Sequence, residues 1–158
     1  MLVQDGLPTP ARYSAMAVIF LGLALSVLDG TTVNLALPGI ARNLHASASQ
    51  AVWVVNAYQV ATLGLLLPLA TLGDLVGYRR VYLSGVVLFT VASLACALSN
   101  SLLFLATARA VQGLGAAGIM SVNSALLRLI YPRRMLGRGV AINSMVVATA
   151  SVAGPSIA

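Results

Sequence analysis

Charged side chains are scarce in this chain of 158 residues. It contains no lysine and no glutamate, and its three carboxylates are Asp5, Asp29 and Asp74. Only 8% of the residues are charged, whereas about a quarter are charged in a typical soluble domain. Together with a hydrophobic content of 59% and a mean hydropathy of +0.97, this excludes an ordinary soluble domain and predicts an integral membrane protein.

The residue sets of common catalytic and metal sites are also missing. Cys96 is the single cysteine, so the chain cannot form an internal disulfide, and His45 is the single histidine, with no second ligand near it. Phosphate-binding loops and nucleophile constellations are absent. The arginines behind the net charge of +6 interrupt apolar segments instead of forming a basic face. We therefore expect no enzyme, no cofactor, no metal and no nucleic-acid partner.

Five long apolar segments occupy most of the chain, at residues 13–37, 51–72, 81–98, 102–127 and 139–158. A helix of about 20 residues crosses a hydrocarbon core of about 30 Å. The alternating pattern of membrane barrel strands is absent. The sequence predicts an all-α bundle of about five transmembrane helices (residues 13–158) after a short N-terminal tail (residues 1–12), with the lipid bilayer as its surroundings.

The arginines predict the orientation of this bundle. Only Arg42 falls in a connection that follows the first or third segment. Seven others precede the first segment or lie around the connections after the second and fourth, namely Arg12, Arg79, Arg80, Arg128, Arg133, Arg134 and Arg138. Because cytoplasmic connections carry the excess of arginine and lysine, the N-terminus is predicted to be cytoplasmic, in a multi-pass protein of the inner cell membrane.

Local signals predict where helices begin and end. Pro38 is expected to end the first helix, since its ring would clash with the carbonyl of Asn34. Ser47 begins a Ser-Ala-Ser run that is typical of a helix cap before the second segment. The connection at residues 73–80 is so short that the second and third helices should be neighbours. The chain stops inside the fifth segment, so we expect an N-terminal fragment of a longer protein, unable to transport without the missing C-terminal half.

Two ionisable residues lie inside the apolar segments. A carboxylate such as Asp29 costs about 2.5–3.5 kcal/mol at the centre of a membrane helix and is a functional candidate by default. Counted from the predicted outer ends of the first and fourth helices, Asp29 and Arg109 lie at a similar depth of about 10–12 Å. Gln112 lies one turn from Arg109 on the same face. A direct or water-bridged contact would let Asp29 exchange a proton. The alternatives are a structural Asp29 bonded to Thr32 or a neighbouring helix, and an Arg109 that binds backbone carbonyls.

Five runs together resemble the drug:proton antiporters with fourteen predicted helices, a branch of the major facilitator superfamily. They are LDGTTVNLALP at residues 28–38, WVVNAY at 53–58, GDLVGYRR at 73–80, RAVQGLGAA at 109–117 and GP at 154–155. The last resembles the centre of the antiporter motif. The chain departs from the family pattern at Ala70 and Ala150, where glycine is usual, and at Leu75 and Tyr78, where basic residues are common.

The resemblance implies a proton-coupled efflux protein for small hydrophobic or cationic compounds. The ionisable residues and the resemblance together predict three sets of site residues. They are Asp29, Asn34, Tyr58, Arg109 and Gln112 for proton coupling or the substrate cavity; Asp74, Gly77, Arg79 and Arg80 for the cytoplasmic gate that the resemblance implies; and Gly154 and Pro155 for the bend of the fifth helix. Tyr58 has interhelical hydrogen bonding as an alternative role.

Two other functions stay open at this point. One is a symporter or facilitator for another small solute. Two features argue against it: Asp29 disfavours an anionic substrate, and the Gly154-Pro155 pair favours an exchange mechanism. The other is a non-transporting membrane protein derived from a transporter half.

Overall fold

Five long helices make up most of the part of the chain that the structure describes. The computed structural model describes residues 6–44 and 46–157, except for the side chains of residues 9, 48 and 154–157. The helices are α1 (Thr9–Asn43), α2 (Ala48–Val76), α3 (Tyr78–Ala97), α4 (Leu102–Ile130) and α5 (Leu136–Ile157), with one 3-10 turn, Arg133–Met135, before α5. All five are long and apolar enough to cross a membrane. The predicted all-α membrane bundle is thereby confirmed.

Helix α1 is longer than the sequence predicted at both ends. It begins at Thr9 with Pro10 in its first turn, where the missing proline N–H removes no internal hydrogen bond. It then continues through Pro38 to Asn43, so the prediction that Pro38 ends the helix is wrong. Membrane helices tolerate an internal proline when nearby groups bind the disturbed backbone. The carbonyl that Pro38 leaves without its helical donor is that of Asn34, and on the other side of the proline the side chain of Arg42 donates a hydrogen bond to the Pro38 carbonyl at 3.3 Å.

The predicted cap of α2 is confirmed and forms a reciprocal pair. The Ser47 hydroxyl accepts a hydrogen bond from the Gln50 backbone N–H at 3.2 Å, and the Gln50 side chain accepts one from the Ser47 N–H at 3.0 Å. This capping box satisfies two backbone groups that would otherwise lack partners. It explains why α2 begins three residues before the predicted apolar segment.

Gly77 alone connects α2 and α3. Its φ of +98° lies in the left-handed region, which is easily reached only by glycine. The connection is shorter than predicted because α2 extends to Val76 and α3 begins at Tyr78. The two helices contact each other, as expected.

Helix α4 is the centre of the bundle and packs against both α2 and α3. A Cβ atom at Gly115 would lie 2.6 Å from the Phe89 backbone nitrogen, and one at Gly85 would lie 2.9 Å from the Gly115 carbonyl oxygen. Small residues therefore bring the backbones of α3 and α4 into direct contact.

Helix α1 packs mainly against α5 and also contacts α2 and α4. The Tyr82 hydroxyl of α3 reaches over to α1 and donates a hydrogen bond to the Val18 carbonyl at 2.9 Å. Asn123 of α4 donates to the Asn143 side chain of α5 at 3.0 Å. These bonds hold α1 and α5 against the α2–α3–α4 core, and they fix the position of the polar part of α1.

Candidate functional site

The hydroxyl groups around Asp29 are satisfied within α1 itself. Ser26 donates to the Gly22 carbonyl at 2.9 Å, and Thr31 donates to the Leu28 carbonyl at 2.9 Å. Such back-bonding is the usual way in which a membrane helix carries serine and threonine. An ionised Asp29 can only accept hydrogen bonds. Because the nearby hydroxyl groups of α1 donate to backbone carbonyls, the donors to Asp29 come from a neighbouring helix.

A triangle of three side chains joins α1 to α4. Arg109 Nη1 donates to Asp29 Oδ2 at 2.5 Å and to Gln112 Oε1 at 2.8 Å. Gln112 Nε2 donates to Asp29 Oδ1 at 3.0 Å. Arg109 and Gln112 project from the same face of α4 because they are three residues apart. Both carboxylate oxygens of Asp29 are therefore bound, and we name this triangle the carboxylate cluster.

The direct contact agrees with the geometry expected from the sequence, although Asp29 lies further from the end of α1 than predicted. Arg109 lies about two turns after the start of α4, as predicted. Asp29 lies about four turns before the end of α1 instead of about two, because the helix does not end at Pro38. Arg109 binds α1 through the side chain of Asp29 and not through backbone carbonyls, which were the alternative left open by the sequence.

Burial makes the ion pair of the carboxylate cluster different from one on a water-facing surface. The exposed fraction of the side chain is 5% for Arg109 and 25% for Asp29. Solvent and salt screen such a pair poorly, and removing one partner leaves a buried charge without compensation. The cluster thus sets one titratable carboxylate against one permanent cation within the membrane-spanning part of the bundle.

Tyr58 brings α2 into the same site. Its ring centroid lies 5.6 Å from Arg109 Cζ, within the range of a cation–π interaction. Its hydroxyl donates a long hydrogen bond of 3.4 Å to the Ser26 carbonyl of α1. The structure therefore places Tyr58, Asp29, Arg109 and Gln112 together, as the sequence predicted for four of the five cavity residues.

Two residues of α3 belong to the site and were missed by the sequence analysis. Gln112 Nε2 donates to Ser93 Oγ at 2.7 Å, and the Cys96 thiol donates to Gln112 Oε1 at 3.6 Å. Ser93 and Cys96 are three residues apart, so they share one face of α3. The only signal in the sequence was this spacing of two polar side chains in an apolar helix. It does not predict a site unless the partner on the neighbouring helix is known.

Asn34 lies away from the carboxylate cluster. It is exposed, and its side-chain amide donates to the Gly30 carbonyl of its own helix at 3.2 Å. Among the described residues, no bond links it to Asp29, Arg109 or Gln112. The predicted grouping of Asn34 with the other four cavity residues is not reproduced.

The predicted gate residues lie together at the opposite end of α2. Asp74 Oδ1 accepts a hydrogen bond from the Tyr78 hydroxyl at 2.6 Å across the Gly77 turn. Arg79 and Arg80 are exposed, and among the described residues neither forms an ion pair with Asp74. Tyr78, which departs from the family pattern, thus supplies the partner of Asp74.

The remaining predicted residues are described only in part. Gly154 and Pro155 lie within α5, which continues to Ile157, but their side chains belong to the undescribed positions. His45 lies outside the described residues. Over residues 6–44 and 46–157, no group of three or more His, Cys, Asp or Glu side chains is arranged to hold a metal ion.

Comparison with known proteins agrees with this architecture. The profile of the Major Facilitator Superfamily matches residues 19–158. The chain is 56% identical over 98% of its length to the uncharacterized transporter YebQ of Escherichia coli (strain K12). It is 33% identical over 92% of its length to the riboflavin transporter RibZ of Clostridioides difficile (strain 630). It is 38% identical over 87% of its length to the multidrug resistance protein Stp of Mycobacterium tuberculosis.

The chain spans 34%, 32% and 26% of the lengths of these three relatives, respectively. The match nevertheless covers four of the five helices completely and most of the first. This match and the five long apolar helices indicate a multi-pass protein of the cell membrane. The chain belongs to the Major Facilitator Superfamily.

Proposed function

We propose that the complete gene product exports small hydrophobic or cationic compounds in exchange for protons, and that Asp29 carries the proton. The observation that supports this proposal is the carboxylate cluster, in which the one titratable group bonds to a buried arginine across two helices. Similarity to a multidrug resistance protein supports the same substrate class.

The chemistry follows from the charges of the cluster. A proton on Asp29 would remove the negative charge that compensates Arg109, and an uncompensated buried charge is costly. The contact between α1 and α4 therefore has a different free energy in the two protonation states. In a protein whose halves rock about a central site, this difference couples proton exchange to the side on which the site opens. A cationic substrate competes with the proton for the same carboxylate.

The predicted gate and bend complete this proposal. Asp74 stands exposed at the end of α2, where it is available to a helix N-terminus of the second half of the transporter, whose dipole favours a carboxylate. Pro155 lies inside α5, where proline bends a membrane helix. A bent helix between two rocking halves suits alternating access.

The test compares Asp29→Asn with Asp29→Glu in the complete gene product, reconstituted in proteoliposomes with an imposed pH gradient. Asparagine keeps the shape of the side chain but carries no proton, whereas glutamate keeps the titratable group. We expect Asp29→Asn to lower proton-driven efflux of a cationic dye by at least about tenfold, or about 1.4 kcal/mol. Asp29→Glu should retain part of it. Efflux by Asp29→Asn at the unmodified rate and equal protein level would overturn the proposal.

A second candidate rests on the similarity to a riboflavin transporter. The complete gene product would then move an uncharged heteroaromatic solute, with the Tyr58 ring beside Arg109 as a stacking surface. The same proteoliposomes distinguish the two candidates when they are offered labelled riboflavin and a cationic dye in parallel. Transport of riboflavin that is independent of the pH gradient and unaffected by Asp29→Asn would favour this second function.

A further inference from the structure

A cavity of about 330 Å³ opens at the end of the bundle opposite the Gly77 turn. Its walls come from the last residues of α1 and α3 and from the first two turns of α4. Under the predicted orientation, this end faces the outer side of the membrane. Arg109 lines the cavity although only 5% of its side chain is exposed, so the cavity reaches inward as far as the carboxylate cluster.

The lining of this outer cavity suits water. Asn43 of α1, Ser99 in the turn after α3 and Arg109 of α4 supply polar groups from three sides, and Cys96 of α3 adds its thiol. A buried water needs two to four polar partners and occupies about 30 Å³ in the liquid, so this cavity has room for several. On the α1–α2 side of Arg109, a second cavity, lined also by Tyr58 and Gln59, has only about 40 Å³. The larger cavity is the wider approach to the arginine.

Short polar links join the outer cavity to Asp29. Cys96 in the cavity wall donates to Gln112 Oε1 at 3.6 Å, and Gln112 in turn donates to Asp29 Oδ1 at 3.0 Å. Arg109 lines the cavity and donates directly to Asp29 Oδ2 at 2.5 Å. The ionisable side chains around Asp29 are thus Tyr58 from α2, Cys96 from α3 and Arg109 from α4. Water in the cavity would come within one side chain of the carboxylate.

We propose that this outer cavity, between α1, α3 and α4, is a water-filled access route by which protons from the outer side reach the Asp29–Arg109 pair. The inference deepens the proposed function and rests on it. It separates the proton route, which runs inside this bundle, from the path of a bulky substrate. The lining of the cavity comes entirely from α1, α3, α4 and the turns that follow α1 and α3.

Cys96 is a built-in probe of this route, because it lines the cavity and is the single cysteine of the chain. The experiment uses the complete gene product in intact cells, with any cysteine beyond residue 158 replaced by serine. A methanethiosulfonate carrying a trimethylammonium group is added outside, where its permanent charge keeps it from crossing lipid. It reacts with a thiolate, which forms in water and not in hydrocarbon.

Leu94→Cys in a Cys96→Ser background is the matched control. Leu94 lies two residues from Cys96 on α3, so the two differ in depth by only about 3 Å, but Leu94 is 62% exposed on the outside of the bundle. We expect Cys96 to react at least about tenfold faster than the lipid-facing thiol, because only Cys96 meets water. Equal reaction of both proteins after unfolding shows that each thiol is present. Equal rates in cells, or labelling of Cys96 only from the cytoplasmic side, would overturn the proposal.

A second measurement asks whether the route carries protons. With Cys96 labelled, the added group fills the cavity, and substrate-driven proton exchange in proteoliposomes should fall at least about tenfold in rate, which corresponds to about 1.4 kcal/mol. The Leu94→Cys protein in the Cys96→Ser background should exchange protons at the same rate before and after labelling. Unchanged exchange with fully labelled Cys96 would overturn the route. If the unlabelled protein exchanges no protons, the proposed function has failed, and the labelling contrast alone decides whether the cavity holds water.

Discussion

Asp29 and Asp74 are the same residue type in two regions that treat a carboxylate in opposite ways. Asp29 lies between helices, and side chains of α4 bind both of its oxygens. Asp74 is exposed at the end of α2 and accepts one hydrogen bond from Tyr78, four residues away. The hydrogen bonds of the first carboxylate form only when the helices are packed together, whereas the second carboxylate is solvated by water and bonded within one local turn. Disturbing the first should therefore alter stability and transport together, and disturbing the second should not.

The largest effect is expected for Arg109→Gln. The change leaves the Asp29 carboxylate without its cation in a poorly solvated position, which costs about 3–5 kcal/mol when a buried pair is broken. Unfolding of the complete gene product in detergent, followed by circular dichroism, measures the loss. Arg79→Gln, at an exposed position on the Asp74 side, is the control and should stay within about 0.5 kcal/mol.

The double variant Asp29→Asn with Arg109→Gln sharpens this result. Because both charges are gone, it should regain part of the stability lost in Arg109→Gln, and the difference measures the coupling of the pair. A double variant that is less stable than Arg109→Gln by the full effect of Asp29→Asn would show that the two charges act independently, against the contact described.

In the region of Asp74, we expect the free energy of unfolding to depend on the backbone conformation at Gly77 and not on the charge of Asp74. Gly77→Ala places a Cβ at a φ of +98°, a strained conformation that costs about 1–3 kcal/mol. Gly64→Ala is the matched control, because Gly64 lies in the middle of α2 with open space around it. There alanine should be stabilising by about 0.5–1 kcal/mol. Thermal unfolding of both variants in one detergent tests the contrast, and equal effects would contradict the strain at Gly77.

Gln112→Leu should have a smaller effect than Arg109→Gln, because it removes hydrogen bonds and leaves the ion pair. Gln112 is buried and binds Ser93 and Asp29. Interhelical hydrogen bonds in membranes contribute about 0.6 kcal/mol on average, so we expect a loss of about 1 kcal/mol in detergent unfolding. Gln59→Leu, at an exposed position of α2, is the comparison. A loss at Gln112 no larger than that at Gln59 would mean that the bonds to α1 and α3 contribute nothing measurable.

The two regions also differ in how far the sequence could predict them. The contact of Asp29 with Arg109 and Gln112 followed from chemistry, because an ionised group in an apolar helix needs a partner and few were available. The neighbours Ser93 and Cys96 did not follow, because their role depends on which face of α3 meets α4. That face is set by the backbone contact of Gly85 with Gly115, which no local pattern reveals.

Helix existence was predictable from hydropathy, and helix ends were not. All five apolar segments became helices, but Pro38 lies inside α1 because a membrane helix accepts a proline that its neighbours accommodate.

Two side-chain partners were also missed. The sequence analysis did not predict the hydrogen bond of Tyr78 to Asp74, since it treated Tyr78 as a departure from a family pattern and not as a donor one turn away. The grouping of Asn34 with the carboxylate cluster failed for a related reason: an amide on α1 satisfied itself on its own helix.

The smallest effect on stability is expected for Asp74→Asn. The amide oxygen of asparagine can still accept the hydrogen bond of the Tyr78 hydroxyl, and an exposed charge contributes little, so the free energy of unfolding should change by less than about 0.5 kcal/mol. Tyr78→Phe, which removes the donor instead, should be equally mild. The informative measurement is transport at equal protein level. A lowered rate in Asp74→Asn together with unchanged stability means that the charge acts on a surface outside these five helices, as the proposed gate requires. An unchanged rate would reduce Asp74 to a local partner of Tyr78 and leave Asp29 as the only carboxylate of the two with a part in transport.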